Sequence, residues 1–301
     1  MNDIKQDNLI FKIFPSFTHP YILLMRLDRP IGFLLLFYPI SFSLVSQSNY
    51  DFELLKYFIL FFIGSVVMRS AGCIINDILD KKIDEKVKRT QSRPLASSKL
   101  SVLKACITLA LLLMIGLLIL INLNLPSIIL SLTIIPLVVL YPLAKRFFVL
   151  PQLILAMTYN WGCMIGWVTI NSPYNFNNIL ILYLSLIIWT IVYDTIYAVQ
   201  DEVDDIKMNL YSSAILFGSN KLSILNALIV CQYILLLVFG YRMGYGMIFN
   251  LIVIFISILN MADINLLWKN EAQKSGQYFK RNNYYGFLIL LSIIVGSQFN
   301  V

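Results

Sequence analysis

Acidic residues at helical spacing form the first group that could do chemistry. Asp77, Asp80 and Asp84 stand at i, i+3 and i+7 in Asn76–Pro94, a stretch of 19 residues with four acids and six bases. On a helix that continued through this stretch, the three carboxylates would share one face. Asn76 would lie at the edge of that face, about one turn before Asp80. The spacing therefore predicts an acidic face.

A second acidic stretch follows roughly 120 residues later, again beside an apolar segment. Its members have the same kind of helical spacing and are Asp194, Tyr197, Asp201, Asp204 and Asp205. Together the two stretches hold nine of the sixteen acids. A single acidic loop is most simply explained as a solvated loop whose charges fix the membrane topology. Nine acids in two stretches are more than that role requires. We expect the two acidic faces to meet across one cavity.

Carboxylates this dense repel one another, so a bound cation is the simplest explanation. Oxygen ligands without nearby His or Cys favour hard ions, and Mg²⁺ combines one or two carboxylates with substrate phosphates. Bases beside these acids could hold phosphate oxygens, namely Lys88, Arg89, Arg93 and Lys207. Acids, metal and bases together describe a diphosphate site.

The elements that position these residues are membrane helices. The chain is 59% hydrophobic and only 13% charged, against about 25% charged in soluble domains. Its apolar runs of about 18 to 24 residues match single crossings of the hydrocarbon layer. We predict an all-α integral membrane bundle of about nine transmembrane helices, forming one domain over residues 1–301.

The bases indicate the orientation. With a cytoplasmic N-terminus, the inner segments hold about twenty of the 23 Lys and Arg, and both acidic stretches face the cytoplasm. Each half then has an acidic loop after a span, which hints at an internal repeat. The bases cluster in short loops beside the spans, so no nucleic-acid partner is expected.

The motifs resemble the UbiA superfamily of intramembrane prenyltransferases, in particular the branch that uses 4-hydroxybenzoate. Asn76 to Asp84 matches NDxxDxxxD, and Asp194 to Lys207 matches DTxYAxxDxxDDxK. Further agreement covers most of the chain, in Arg26-Leu-Asp-Arg-Pro-Ile-Gly32, Arg69-Ser-Ala-Gly72, Arg93-Pro94-Leu95, Tyr141-Pro-Leu-Ala-Lys145-Arg146 and Asn282-Asn283-Tyr-Tyr-Gly286. In one departure, Met208-Asn209-Leu210-Tyr211-Ser212 replaces the usual Ile-Gly-Val-Lys-Ser.

The resemblance implies transfer of a polyprenyl group from its diphosphate to the ring carbon ortho to the hydroxyl of 4-hydroxybenzoate, in ubiquinone biosynthesis. It implies Mg²⁺ as cofactor and the lipid bilayer as the medium for the tail, and no obligate protein partner is evident. The implied metal ligands are Asp77, Asp80, Asp84, Asp201, Asp204 and Asp205, of which Asp77, Asp201 and Asp205 are also implied in catalysis. The implied substrate-binding residues are Asn76, Arg69, Lys88, Arg89, Arg93, Arg146, Lys207, Tyr197 and Asp194. Arg146 is the candidate for the acceptor's carboxylate and Asp201 for the phenol proton.

Other functions stay open at this stage. Sister prenyltransferases use homogentisate, dihydroxynaphthoate or haem, but Tyr197-Ala198 and Asp204-Asp205 favour hydroxybenzoate. A secondary transporter also carries intramembrane acids, yet its sites lie near the bilayer midplane. A phosphatidyl-alcohol transferase would also use aspartates and a metal, but its Asp-Gly and Ala-Arg pattern is absent from this sequence. Without a recognisable leader, we expect a multi-pass protein of the bacterial inner membrane rather than the mitochondrial one.

Overall fold

The computed structural model describes residues 9–46, 51–86, 90–170, 175–268 and 275–298. The regular structure over these ranges is helical. Within the described ranges, seven helical segments have the length and composition to cross a membrane, and they are Phe52–Leu79, Val102–Leu120, Leu125–Arg146, Pro151–Ile170, Phe176–Ala198, Ser213–Arg242 and Met247–Leu266. The prediction of an all-α membrane protein is confirmed.

The other two predicted spans are also helical. Ile31–Val45 is apolar but has only 15 residues. Ser275–Gln298 has 24 residues, and its first half carries Lys280, Arg281, Asn282 and Asn283, which lower its apolar character. The cytoplasmic placement of the N-terminus stays a prediction.

The described chain divides into two compact units. The first contains residues 1–34 and 59–122, and the second contains residues 35–58 and 123–301. The first unit includes the helices Leu9–Ile13, His19–Leu24, most of Phe52–Leu79, Lys81–Asp84 and Val102–Leu120, with a short 3-10 turn at Ser16–Thr18. Its core is apolar and consists of Leu24, Val67, Ala71, Ile74, Leu95, Leu100, Ala105 and Leu112. This core anchors both ends of the first acidic stretch.

The second unit surrounds the helix Phe176–Ala198, which is the most buried of the candidate spans. This helix packs against helices from both sides in the sequence, namely Pro151–Asn160, Gly162–Ile170, Ser213–Phe217, Lys221–Arg242 and Ser275–Gln298. The unit also holds most of Ile31–Val45, with Leu125–Thr133, Ile135–Leu140, Glu202–Lys207 and Met247–Trp268, and 3-10 turns at Tyr141–Arg146 and Gly218–Asn220. The second acidic stretch follows directly from its central helix.

Prolines divide the apolar segments of the second unit. Pro136 and Pro142 are the second residues of Ile135–Leu140 and Tyr141–Arg146. Proline is tolerated in the first turn because it lacks the N–H that only a helix interior needs. Asn124 caps the start of Leu125–Thr133, since its side-chain oxygen accepts a hydrogen bond from the Ser127 N–H at 3.0 Å. The 3-10 turn at Tyr141–Arg146 carries Lys145 and Arg146, of which Arg146 is a predicted site residue.

Polar bonds fix the buried helices of the second unit to one another. Trp189 donates its indole N–H to the Asn282 Oδ1 at 2.9 Å, and Asn160 donates to the Thr190 hydroxyl at 2.7 Å. Tyr278 donates to Asn260 at 2.5 Å. Such bonds satisfy polar groups that water cannot reach, so they specify the register between helices.

Candidate active site

The first acidic stretch is not one continuous helix, so the condition for a single straight acidic face is not met. The helix Phe52–Leu79 ends one residue before Asp80, and a four-residue helix Lys81–Asp84 follows. Asp80 itself has φ −94° and ψ 6°, the bridge conformation. The hydrogen bonds nevertheless continue, from the Asp80 N–H to the Asn76 carbonyl at 2.9 Å and from the Asp84 N–H to the Asp80 carbonyl at 2.8 Å.

Asp77 and Asp84 meet despite this bend, because one guanidinium holds both. The Arg93 Nη1 lies 3.2 Å from the Asp77 Oδ1 and 2.8 Å from the Asp84 Oδ2. Asp77 and Asp84 are buried, at 2% and 6% exposure. Buried carboxylates need a positive partner to stay ionised, and Arg93 supplies one to each.

Arg26 provides a second partner for Asp77. Its Nη2 lies 2.8 and 2.9 Å from the two carboxylate oxygens of Asp77. Arg26 has a left-handed backbone, with φ 56°, which is uncommon for a residue that carries a Cβ. The Ser70 hydroxyl donates to the neighbouring Met25 carbonyl at 3.2 Å and helps to hold this turn against the helix. The turn thereby directs Arg26 toward the motif.

The remaining predicted residues of this unit lie around the pair. Asn76, Asp80 and Arg69 are half-buried. The Arg69 guanidinium passes close to Gly32, where an added Cβ would lie 2.8 Å from Nε. Lys88 and Arg89 lie outside the described residues.

The second acidic stretch repeats this local structure. The helix Phe176–Ala198 ends, Asp201 takes φ −102° and ψ 0°, and the short helix Glu202–Lys207 begins. The Asp205 N–H donates to the Asp201 carbonyl at 2.8 Å, as Asp84 does to Asp80. In each stretch an aspartate at the bend is followed four residues later by a buried aspartate. This similarity supports the predicted internal repeat.

Lys145 neutralises the buried aspartate of the second stretch. Its Nζ lies 3.1 Å from the Asp205 Oδ2, and Asp205 is only 3% exposed. Burial raises the pKa of the Asp205 carboxyl above its usual range, and the Lys145 ammonium opposes that rise. The Tyr211 N–H donates to the Lys145 carbonyl at 2.9 Å, which ties the turn at Tyr141–Arg146 to the segment after the motif.

The other predicted residues of the second unit are less enclosed. Asp204 is exposed, and its ion pair within the described part of the chain is a 3.8 Å contact with the exposed Lys207. Asp204 and Asp205 are therefore in different environments although they are adjacent. Arg146 is also exposed.

Asp194, Tyr197 and Asp201 are half-buried. The Tyr197 ring lies 4.9 Å from the Phe279 ring, and Tyr193 and Trp189 continue a row of aromatic contacts along the same helix. From the motif, a row of aromatic side chains in contact with one another thus extends along the helix.

The departure after Lys207 has a simple backbone explanation at one of its positions. Asn209, which replaces the expected glycine, has φ 51° in the left-handed region. Asparagine tolerates this region better than other residues with a Cβ. Tyr211, which replaces the expected lysine, is exposed and contributes its backbone N–H to Lys145. The turn is therefore kept while one positive charge is lost.

The acids fit a cation only in pairs. Among the described residues, no three His, Cys, Asp or Glu side chains are grouped to hold a metal. Asp77 and Asp84, however, converge on one positively charged nitrogen. Since Mg²⁺ usually takes one or two carboxylates and completes its shell with waters and phosphate oxygens, this donor set fits it. Whether the acids of both units serve one site stays a prediction.

Comparison with known proteins connects this geometry to a family. The model of the UbiA prenyltransferase family matches residues 36–289. The chain belongs to the UbiA prenyltransferase family. The solved structure of a UbiA homolog from Aeropyrum pernix K1 has a TM-score of 0.71, with 25% identity over 88% of this chain and 97% of that one. A UbiA homolog from Archaeoglobus fulgidus bound to GPP and Mg²⁺ shares the fold, with a TM-score of 0.66 and 18% identity over 90% and 99% of the two chains.

Several curated relatives of this UbiA protein share a higher sequence identity with it than these two solved structures do. The 4-hydroxybenzoate polyprenyltransferase of Drosophila pseudoobscura pseudoobscura, described as mitochondrial, is 37% identical over 97% of this chain and 74% of that protein. The 4-hydroxybenzoate octaprenyltransferase of Haemophilus ducreyi is 36% identical over 91% of this chain and 98% of that protein. The chain spans about half, 53%, of the Drosophila melanogaster relative. This UbiA protein is thus a multi-pass membrane protein with both bacterial and mitochondrial relatives.

Two bases that contact the motifs were not among the predicted site residues. Arg26 and Lys145 both stand in the quoted segments Arg26–Gly32 and Tyr141–Arg146, so the signal was present. Their partners lie 51 and 60 positions away in the sequence, which spacing alone does not reveal. In the second segment the prediction chose Arg146, whereas Lys145 is the base in contact with an aspartate.

Proposed function

We propose that this UbiA protein transfers a polyprenyl group from polyprenyl diphosphate to the ring carbon ortho to the hydroxyl of 4-hydroxybenzoate, a step of ubiquinone biosynthesis. The observation that carries the proposal is the agreement among relatives. Proteins named 4-hydroxybenzoate polyprenyltransferase or octaprenyltransferase match more than nine-tenths of the chain at 36–37% identity, from insects and from bacteria. The family match supports the reaction class independently.

The chain's own residues suit the donor's diphosphate. Mg²⁺ bound through Asp77 and Asp84, with Asp80 at the bend, would neutralise charge on the leaving group; the Archaeoglobus fulgidus homolog is described as bound to GPP and Mg²⁺. Arginine and lysine side chains would hold the remaining phosphate oxygens, and the proposed set is Arg69, Arg93, Lys207, Lys88 and Arg89. Asn76 at the end of the spanning helix would help to position the donor.

The second stretch would hold the acceptor and its share of the metal ligands. As the allylic C–O bond breaks and diphosphate leaves, the ring carbon ortho to the hydroxyl bonds to the allylic carbon. That ring carbon then passes its proton to the released diphosphate, and the phenol oxygen regains the proton it gave up, so one proton is released in all. Asp201 would take the phenol proton, with Asp205 and Asp204 completing the acidic set and Asp194 and Tyr197 lining it. Arg146 would bind the acceptor's carboxylate, because a guanidinium matches a carboxylate with two parallel bonds.

The membrane position of the protein suits a polyprenyl tail. Each CH₂-sized group of the tail prefers lipid over water by about 0.8 kcal/mol, so the tail stays in the bilayer while the diphosphate reaches the charged residues. Exclusion of water from the allylic cation would prevent its hydrolysis. We place the protein in the bacterial inner membrane rather than in the mitochondrial inner membrane. Fractionation of the cells that naturally contain the protein tests this placement.

The test is a transfer assay on membranes that contain the protein, with ring-labelled 4-hydroxybenzoate and a polyprenyl diphosphate. We expect labelled lipid product only when Mg²⁺ is supplied, and at least about a hundredfold less product from Asp77→Asn, since a single transition-state contact is worth that much. The matched control is Glu85→Gln, an exposed acid beside the same motif, which should keep its activity. Product that survives EDTA or Asp77→Asn would contradict the metal assignment, and product with homogentisate alone would move the acceptor to a sister enzyme.

A further inference from the structure

Arg93 lies in the position that a cation between Asp77 and Asp84 would take. A single nitrogen, Nη1, is within hydrogen-bond distance of an oxygen from each carboxylate, at 3.2 and 2.8 Å. Both carboxylates are almost fully buried, whereas the Arg93 side chain is 22% exposed. The guanidinium therefore enters the pair from the open side.

Only some of the N–H donors of the Arg93 guanidinium are hydrogen-bonded. Its Nε is buried and has no hydrogen-bond partner among the described residues. A buried N–H of a charged group without an acceptor weakens the arrangement. Arg93 is thus bound to the aspartates well enough to neutralise them, yet not with all of its donors.

The backbone of Arg93, in contrast, is firmly fixed. Its N–H donates to the Thr90 carbonyl at 2.9 Å, and its carbonyl accepts from both the N–H and the hydroxyl of Ser97 at 2.8 Å. Leu95, two residues later, is 1% exposed in the core of the first unit. The side chain can therefore leave the aspartates by rotation of its own bonds, without movement of the segment.

We infer that Arg93 is an exchangeable internal cation, which Mg²⁺ must displace from Asp77 and Asp84 and which then becomes available to the donor's diphosphate. A metal ion needs carboxylate oxygens at about 2.1 Å, a shell that a guanidinium between the same oxygens excludes. Arg26 pairs with Asp77 but not with Asp84, so it does not lie between the two carboxylates. The released fork of Arg93 suits phosphate oxygens. The inference rests on the proposed function, since it concerns the same site.

The test measures Mn²⁺ binding by electron paramagnetic resonance to the full-length protein in nanodiscs without diphosphate. We expect Arg93→Gln to bind Mn²⁺ at least tenfold more tightly than the wild type, because the competing cation is gone. Arg93→Lys, which keeps the charge, should fall between them. The matched control Lys86→Gln removes one exposed positive charge close to Asp84 and should change the affinity by less than twofold. Equal affinities in wild type and Arg93→Gln, or no binding to either, would overturn the exchange.

A second measurement needs no variant. Phenylglyoxal modifies accessible arginines, and mass spectrometry reads each site separately. In the wild type, Mn²⁺ should raise the modification rate of Arg93 several-fold while that of Arg242, on the separate helix Lys221–Arg242, stays constant. A rate at Arg93 that Mn²⁺ does not raise would also overturn the exchange. Wild-type product formation in the transfer assay tests the proposed function on its own, so either idea can fail alone.

Discussion

Removal of Lys145 should destabilise the protein in a way that depends on pH. Lys145 is the base within 3.1 Å of the Asp205 carboxylate, whose side chain is 5% exposed, while its own side chain is 42% exposed. Loss of one partner costs about 3–5 kcal/mol for a fully buried pair and about 0–1 kcal/mol for an exposed pair. For this half-buried pair we expect Lys145→Met to lower the free energy of unfolding by about 2 kcal/mol at neutral pH.

The sign of the pH dependence follows from Asp205. Burial already raises the pKa of this carboxyl, so its ionised form destabilises the folded state, and the absence of Lys145 would raise that pKa further. As the pH falls through the raised pKa, Asp205 becomes protonated and no longer needs a positive partner. The difference between Lys145→Met and the wild type should therefore shrink as the pH falls from neutrality through this raised pKa.

The assay is unfolding in mild detergent, followed by tryptophan fluorescence at several pH values. Lys207→Met is the matched control, because Lys207 and Asp204 are both exposed and 3.8 Å apart, and we expect a change of less than about 0.5 kcal/mol. The double variant Lys145→Met with Asp205→Asn should recover most of the stability. Equal effects from the two lysines, or a Lys145→Met effect that does not shrink at low pH, would refute the reasoning.

Two further substitutions test individual positions. Asn209→Ala should destabilise the protein by about 1 kcal/mol, because Asn209 has a left-handed backbone, whereas Asn209→Gly should be neutral or slightly stabilising. Thermal unfolding measures both changes. Equal stabilities of the two variants would contradict the backbone explanation. Gln232→Leu should stabilise by about 1–3 kcal/mol, since its buried amide has no partner for Oε1 or Nε2 among the described residues. A destabilised Gln232→Leu would mean that the amide is satisfied.

The sequence predicts the class of fold, and it also indicates that Asp77 and Asp84 lie together, because both features depend on local patterns. Apolar runs of membrane length stand directly in the chain, and Asp77 and Asp84 keep a common environment as their spacing suggested. The bend at Asp80 could not be predicted, since the i to i−4 hydrogen bonds continue across it and no proline or glycine marks it.

The bases were harder to assign than the acids. Arg93 follows Asp84 by nine residues and was correctly grouped with the motif. Lys145 approaches Asp205 only through the packing of the second unit, so no sequence pattern favours it over Arg146. Contacts between distant segments depend on the register of packed helices, which periodicity does not specify.

The repeated bend has a consequence for how the two halves diverged. Asp80 with Asp84, and Asp201 with Asp205, share backbone conformation and spacing, as two copies of one ancestral helix–aspartate–helix unit would. Their positive partners differ in kind and in origin, an arginine nine residues downstream in one case and a lysine sixty residues upstream in the other. If the carboxylates were inherited with the duplicated unit, each base was recruited afterwards. Because Arg93 and Lys145 both stand in segments that match the UbiA family pattern, relatives should keep these counter-ions together with the aspartates.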